Sequence, residues 1–174
     1  MRIETKHLIL REFEETDCER MFLMDSDPEV LKYLGLPVLT DINDSKKSIK
    51  AIRQQYRDNG IGRLAVIEKE SGLLIGWSGL KFLTEEINGY NNIYDLGYRF
   101  IPESWGKGYA LESAKASLEL GFNDLKIDVI YAYAHFENGS SNHILRKLGF
   151  EKTSEFNEPD GIYFWYELKR ENYK

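Results

Sequence analysis

Apolar and polar side chains alternate from the start of the chain. Ile3, Thr5, His7 and Ile9 fall on one face and Leu8 and Leu10 on the other, a period that predicts a strand. Thr16-Asp17-Cys18-Glu19 has capping-box spacing, so a helix should follow to about Met24. Asp27-Pro28-Glu29 supplies a cap, a first-turn proline and an acid, and predicts a short second helix stopping near Gly35. A third helix reads from Ser45 to Arg57, ended by Asn59-Gly60. The period then changes: Arg63 to Glu68, Leu73 to Phe82 and Asn92 to Ile101 are β-rich and separated by Glu-Ser-Gly and Asn-Gly turn signals, which predicts three antiparallel strands. Leu111, Ala114, Leu118 and Phe122 recur as one helical stripe, and Asp128 to His135 reads as a buried strand. Ile144, Leu145 and Leu148 mark a further helix closed by Gly149, and Phe150 to Phe156 with Ile162 to Leu168 form a closing hairpin around Glu158-Pro159-Asp160-Gly161.

This order predicts a mixed α/β (α+β) fold in which helices flank a largely antiparallel sheet. No repeat, low-complexity tract or flexible linker divides residues 1–174, and the four prolines are scattered, so one domain is expected. At 174 residues with 42% apolar side chains, the chain can bury roughly 70% of its unfolded surface without staples. Cys18 is its one cysteine, and His7, His135 and His143 lack ligand spacing, so no metal site is expected and a reducing cytoplasm is the natural setting. The longest apolar run is the six residues Val129 to Ala134, and charges interrupt the first ten residues, so neither a membrane span nor a secretory signal is expected. With 23 basic against 29 acidic residues and no basic track, nucleic acid is not an expected partner.

The stretch that carries chemistry is Pro102-Glu103-Ser104-Trp105-Gly106-Lys107-Gly108-Tyr109-Ala110, which ends a strand and opens onto the Leu111 to Phe122 helix. Glycines let backbone N–H groups turn inward, and a helix start favours an anion there, although a tight turn that binds nothing has the same look. A P-loop is excluded because its glycine spacing and Lys-Ser/Thr are missing. A dinucleotide fingerprint would need a small residue where Leu111 stands, and the strands before the loop form an antiparallel meander.

A second signature, Asn138-Gly139-Ser140-Ser141, follows the next strand, and after a short helix comes Arg146-Lys147-Leu148-Gly149-Phe150. With both in place, the sequence resembles the GNAT superfamily of acetyl-CoA-dependent N-acetyltransferases. Its phosphate loop runs Gln/Arg-x-x-Gly-x-Gly/Ala, and its next motif is Asn-x-x-Ser/Ala before a helix ending Lys-Leu-Gly-Phe. Ile9-Leu10-Arg11, Asp17, Asp27-Pro28-Glu29-Val30 and Tyr33-Leu34-Gly35 are similar to the branch containing the ribosomal-protein N-terminal acetyltransferases. The resemblance spans Thr5 to Tyr173 and implies a GNAT-like sheet of about seven strands with strands four and five, Asn92–Ile101 and Asp128–His135, splayed apart.

What the resemblance implies for the site can be carried over residue by residue. Trp105 takes the Gln/Arg position, Gly108 the central glycine and Ala110 the last small residue, with the backbone of Gly106, Lys107, Gly108, Tyr109 and Ala110 on the pyrophosphate of acetyl-CoA. The pantetheine arm would lie along the fourth strand, Asn138 would hydrogen-bond it, and a backbone N–H at Phe100 or Ile101 would meet the oxyanion. Many relatives use a Tyr as general acid where this chain has Leu145, so Ser141 is the substitute donor to the leaving thiolate. Asp95 matches a family proton acceptor, with His135 as a further candidate.

The expected function is acetyl transfer to a primary amine, and the loss of the tyrosine makes a catalytically silent acyl-CoA-binding or regulatory module the alternative. The acceptor stays open among a protein N-terminus, an amino acid, a polyamine and an antibiotic amine. Tyr33, Trp77, Tyr133, Tyr163, Phe164 and Trp165 are candidates for an acceptor groove, for core, or for the contact of a homodimer.

Overall fold

In the computed structural model, which describes residues 1–174, the opening alternation is two strands rather than one. β1 (Arg2–Glu4) folds back on β2 (Leu8–Arg11), with Ile3 opposite Leu10. Thr5 closes the turn locally, its N–H donating to Leu8 O at 3.0 Å and its Oγ1 accepting the Leu8 N–H at 3.1 Å, and a distant carboxylate braces it: Glu112 accepts from Thr5 Oγ1 at 2.6 Å, from the His7 N–H at 2.8 Å, and pairs with His7 Nδ1 at 2.7 Å.

Three helices follow. A 3₁₀ turn, Glu15–Asp17, precedes α1 (Cys18–Asp25), and the cap falls earlier than Thr16 because Asp17 accepts the Glu14 N–H at 2.8 Å while Arg11 grips both its oxygens at 2.7 and 2.8 Å. α2 (Pro28–Leu31) is capped by Asp27 as its sequence predicts, through the Glu29 N–H at 2.9 Å. α3 (Ile42–Asn59) is capped by Asp41 and ends on Gly60 at φ 69°, a left-handed stop.

The remaining strands are β3 (Leu64–Glu68), β4 (Leu74–Leu83), β5 (Ile93–Phe100), β6 (Val129–His135), β7 (Glu151–Glu158) and β8 (Gly161–Lys169). α4 (Tyr109–Glu119) connects β5 to β6, and α5 (Gly139–Lys147) connects β6 to β7. All eight strands form one sheet in the order β1-β2-β3-β4-β5-β6-β8-β7. Every neighbouring pair is antiparallel except β5 and β6. The split of the opening strand accounts for the eighth.

Strand alternation sorts the two faces. Leu80, Leu96, Ile130 and Ala132 pack with Ala114 and Leu118 of α4 and Leu145 of α5. The π turn Leu120–Asp124 ends α4 against this face, and Gly121 lets it approach closely, since a Cβ would stand 2.7 Å from Leu80 Cδ1 and 2.8 Å from Ile130 Cδ1 and those side chains would have to shift. The opposite face carries Trp77, Asp95 and Arg99, and receives Asp25 from the end of α1.

Glu112 thus ties the first turn of α4 to the β1–β2 turn. Burial would raise its carboxyl, but the bonds from Thr5 and His7 outweigh burial and hold it below its ordinary value. A group depressed in this way contributes stability above its unfolded pKa and loses that contribution as the pH falls through the folded value. Glu112→Ala is therefore expected to cost about 2 kcal/mol in urea unfolding at neutral pH, and the gap should narrow once the pH drops below about 4.3. A gap of the same size at pH 3 would contradict this account.

Candidate active site

β5 and β6 pair at Tyr94↔Ile130 and Asp95↔Tyr131 and no further. The Ile101 N–H donates to Ile75 O at 2.9 Å, which turns the amides of alternate β5 residues toward β4. Leu96, Tyr98 and Phe100 therefore turn their N–H and C=O groups toward β6; the Asp95↔Tyr131 pair still takes up the Leu96 N–H, and beyond it no strand is paired to receive Tyr98 and Phe100. These are the two strands expected to splay. Of the two oxyanion donors expected, Ile101 is excluded because its N–H is already bonded to β4; the Phe100 N–H faces the gap. Trp105 fastens this end of the strand, its indole Nε1 donating to Phe100 O at 2.8 Å.

Beyond β5, a 3₁₀ turn, Pro102–Ser104, leads into the glycine loop. Gly106 and Gly108 sit at φ 74° and 82°, in the left-handed region, and a Cβ on either would meet nothing within 4 Å. Gly108 is also the N-terminal cap of α4 and brings no side chain to its first-turn amides. Lys107 Nζ and Tyr109 OH turn to Glu68, at 3.2 and 2.8 Å, so these residues and Ala110 offer the loop their backbone. Left-handed glycines, free first-turn amides and open space in front of them fit a pyrophosphate.

Across the gap, α5 starts under tight control. Asn138 Oδ1 accepts the Ser141 N–H at 3.1 Å, a cap that leaves the amide nitrogen of Asn138 out of use. Asn142, 3% exposed, donates to His135 O and Asn138 O, each at 2.9 Å, and accepts from Tyr166 OH at 2.8 Å. That network fixes where Ser141 stands, and its Oγ lies 3.0 Å from Tyr98 OH on β5. Leu145, in the tyrosine's place, is 2% exposed and packs in the core.

The other face of β5 holds charge in matched pairs. Asp95, 3% exposed, is ion-paired with Arg63, which also donates to Asp95 O at 2.6 Å and to Gly79 O. Gly97 is required beside them, because a Cβ would stand 2.7 Å from Arg63 Nη2. Arg99 pairs with Asp25 at 2.6 Å, and the two guanidiniums lie over Trp77 at 5.0 Å (Arg99) and 5.4 Å (Arg63) from the ring centre. Burial pushes the Asp95 carboxyl up while Arg63 pulls it down, with a net rise. Its Oδ1 makes no hydrogen bond to the protein.

His135 is corrected as a proton acceptor. Its Nδ1 accepts the Glu137 N–H at 3.2 Å, which puts the ring hydrogen on Nε2, 3.2 Å from Asp160 O, so both nitrogens are occupied. The ring stacks on Tyr33 at 5.6 Å. Of the aromatic candidates, Phe164 belongs to the α4–α5 face, where it packs against the core. Trp77, Tyr133, Tyr163 and Trp165 share the Asp95 face, with Tyr33 packed over it. The residues that sequence reasoning missed are Tyr98, Arg63 and Asn142; Asn142 adjoins the Asn138–Ser141 motif, but Tyr98 on β5 and Arg63 just before β3 carry no local mark.

A strand edge ending in a free amide beside a glycine turn at a helix start can receive an extended ligand that carries a phosphate at one end. Residues 7–151 match the model of the acetyltransferase (GNAT) domain, and the chain belongs to that family. The uncharacterized N-acetyltransferase p20 of Bacillus licheniformis is 30% identical, with 96% of each chain covered. Spermidine N(1)-acetyltransferase of Escherichia coli K12 is 29% identical over 84% of this chain and 74% of its own. The solved structure of a GNAT-family acetyltransferase from Bacillus anthracis superposes with a TM-score of 0.82 at 27% identity, covering 98% of this chain and 99% of that one. Family members use acetyl-CoA as donor and amines as acceptors. No helix is long and apolar enough to cross a membrane.

Because the space in front of Gly108 is open and its φ is 82°, Gly108→Val should strain the turn without clashing with the protein. The expected result is an acetyl-CoA affinity at least about tenfold weaker by calorimetry, with the melting temperature lowered only slightly. Unaltered affinity in a folded variant would place the pyrophosphate elsewhere.

Proposed function

We propose that the protein moves the acetyl group of acetyl-CoA directly to a primary amine, a protein N-terminus or a small-molecule amine, in a ternary complex. The observation that carries this reading is the open β5 edge with Phe100 N–H on one side of the gap and Ser141 on the other. The amides of Gly106 to Ala110 would hold the pyrophosphate, with Trp105 bracing the strand end, and Asn138 would hold the pantetheine arm laid along β5. Phe100 N–H donates to the carbonyl oxygen as negative charge develops on it. Ser141 donates to the sulfur as the C–S bond breaks, the task that Leu145 has no group to perform. Asp95 takes the ammonium proton through water at Oδ1, its basicity raised by burial and moderated by Arg63. Thiol release with a panel of amines, spermidine among them, and product masses test the reading. No release with any amine would favour a silent acyl-CoA-binding module.

Ser141→Ala is expected to lower kcat by about 100-fold while changing KM far less, the pattern of a group used in the transition state. Unchanged kcat would leave Ser141 as part of a helix start.

Asp95→Asn should cost about 100-fold or more with a strongly basic amine but less with an α-amine of pKa about 8, which is already neutral in roughly a tenth of its population at pH 7. The acidic limb of the rate profile should also disappear. Equal losses with both amines would assign Asp95 to holding Arg63, whose charge the substitution leaves buried without its partner.

A further inference from the structure

Tyr98 lies on the α5-facing side of β5, and its hydroxyl reaches across the gap to two atoms of one residue, Ser141 Oγ at 3.0 Å and Ser141 O at 3.3 Å. We propose that Tyr98 is a positioning residue that donates its hydroxyl hydrogen to Ser141 Oγ and so turns the Ser141 hydrogen toward the thioester sulfur. The inference rests on the role given to Ser141 above and adds what directs that hydroxyl.

A serine hydroxyl has one hydrogen and rotates freely, so without a neighbour it can satisfy any acceptor within reach. Two arrangements are open here. If Tyr98 gives its hydrogen to Ser141 O, Ser141 is left to donate back to the phenol oxygen and its hydrogen is spent. If Tyr98 donates to Oγ, the shorter of the two contacts, the Ser141 hydrogen must point elsewhere. Burial pushes the Tyr98 phenol up to about 12 against the smaller opposing effect of Ser141, so it stays a donor throughout the working pH range.

During transfer the amine nitrogen forms its bond to the acetyl carbon, and the C–S bond breaks with its electron pair going to sulfur. Ser141 hydrogen-bonds that developing thiolate, and Tyr98 hydrogen-bonds Ser141. No net proton leaves Tyr98: the acylated nitrogen sheds its extra proton to water, and the released thiolate takes one from water to become the free thiol. The opposite end of the arrangement is already rigid, since Asn138 and Asn142 fix the start of α5, so rotation of one hydroxyl is the freedom left for Tyr98 to remove.

The test is a double-mutant cycle of Tyr98→Phe and Ser141→Ala, read by kcat, by acetyl-CoA affinity in calorimetry and by melting temperature. Tyr98→Phe keeps the ring and removes one oxygen. The expected result is a kcat lowered about tenfold with acetyl-CoA affinity unchanged, and no further loss when Tyr98→Phe is added to Ser141→Ala. Tyr98→Phe that leaves kcat intact, or that multiplies its loss onto Ser141→Ala, overturns the proposal while the role of Ser141 stands. A loss seen mainly as weakened acetyl-CoA affinity also overturns it, making Tyr98 a clamp on the width of the gap. If Ser141→Ala itself leaves kcat unaltered, the reading of Ser141 and this inference fail together. Should Tyr98→Phe unfold, Ser141→Thr, which keeps the hydroxyl, serves in its place. Retained kcat supports the proposal, and a loss as large as that of Ser141→Ala overturns it.

Discussion

The pairing of β5 with β6 stops after Asp95 and Tyr131, and the rest of the molecule is arranged around that break. A strand edge inside a sheet carries N–H and C=O groups that must be bonded to something, so two neighbours that part in mid-sheet create an obligatory docking line. β4 holds β5 straight along its other edge, through register from Leu83↔Ile93 to Gly76↔Phe100. β8 does the same for β6 from Val129 to His135. Each strand of the gap is thus supported on one side and open on the other. The Trp105 bond to Phe100 O closes the far end of β5, and the same loop presents the amides of α4 a few residues later. Break, loop and helix start follow one another along a single stretch of chain, and so an extended thioester with a phosphate at one end fits them.

Because side chains alternate along β5, the strand serves two chemistries at once. Tyr98 faces α5 and meets Ser141, while Asp95 and Arg99 face the side covered by α1. Buried charges are expensive to hold. Arg63 and Arg99 each have a carboxylate, Arg63 also uses two backbone carbonyls, and both guanidiniums lie over Trp77, which offsets part of that cost, although Arg99 Nε stays buried without a partner. Gly97 is part of the same construction, since a side chain there would displace Arg63. Asp95, the acid proposed to receive a proton, is thus held by a guanidinium that is itself bonded to two backbone carbonyls.

Much of this was legible before any coordinates. The Trp105–Ala110 loop, the Asn138–Ser141 motif and the Asp27 cap are local devices, made by residues a few positions apart, and spacing reveals them. The order of strands and helices follows equally from hydrophobic period. The misreadings share one cause. Ile101 and His135 were reasonable candidates by position, but the bonds that occupy them come from Ile75 on another strand and from the Glu137 and Asp160 backbone after the chain has turned. The turn that splits the opening strand is braced by Glu112 from α4, and Phe164 went to the other face by register.

Hydrophobic period and short-range motif spacing were enough to place the elements, apart from the split of the opening strand, and the sheet's antiparallel character, while the resemblance of the loop motifs pointed to the family. Which donors are free, which hydroxyls meet, and which carboxylate is matched by which arginine depended on contacts between residues far apart in sequence. The Tyr98–Ser141 and Arg63–Asp95 pairs span 43 and 32 positions. No period records such a pairing, because it exists only once strands have chosen their neighbours and register has assigned each side chain to a face.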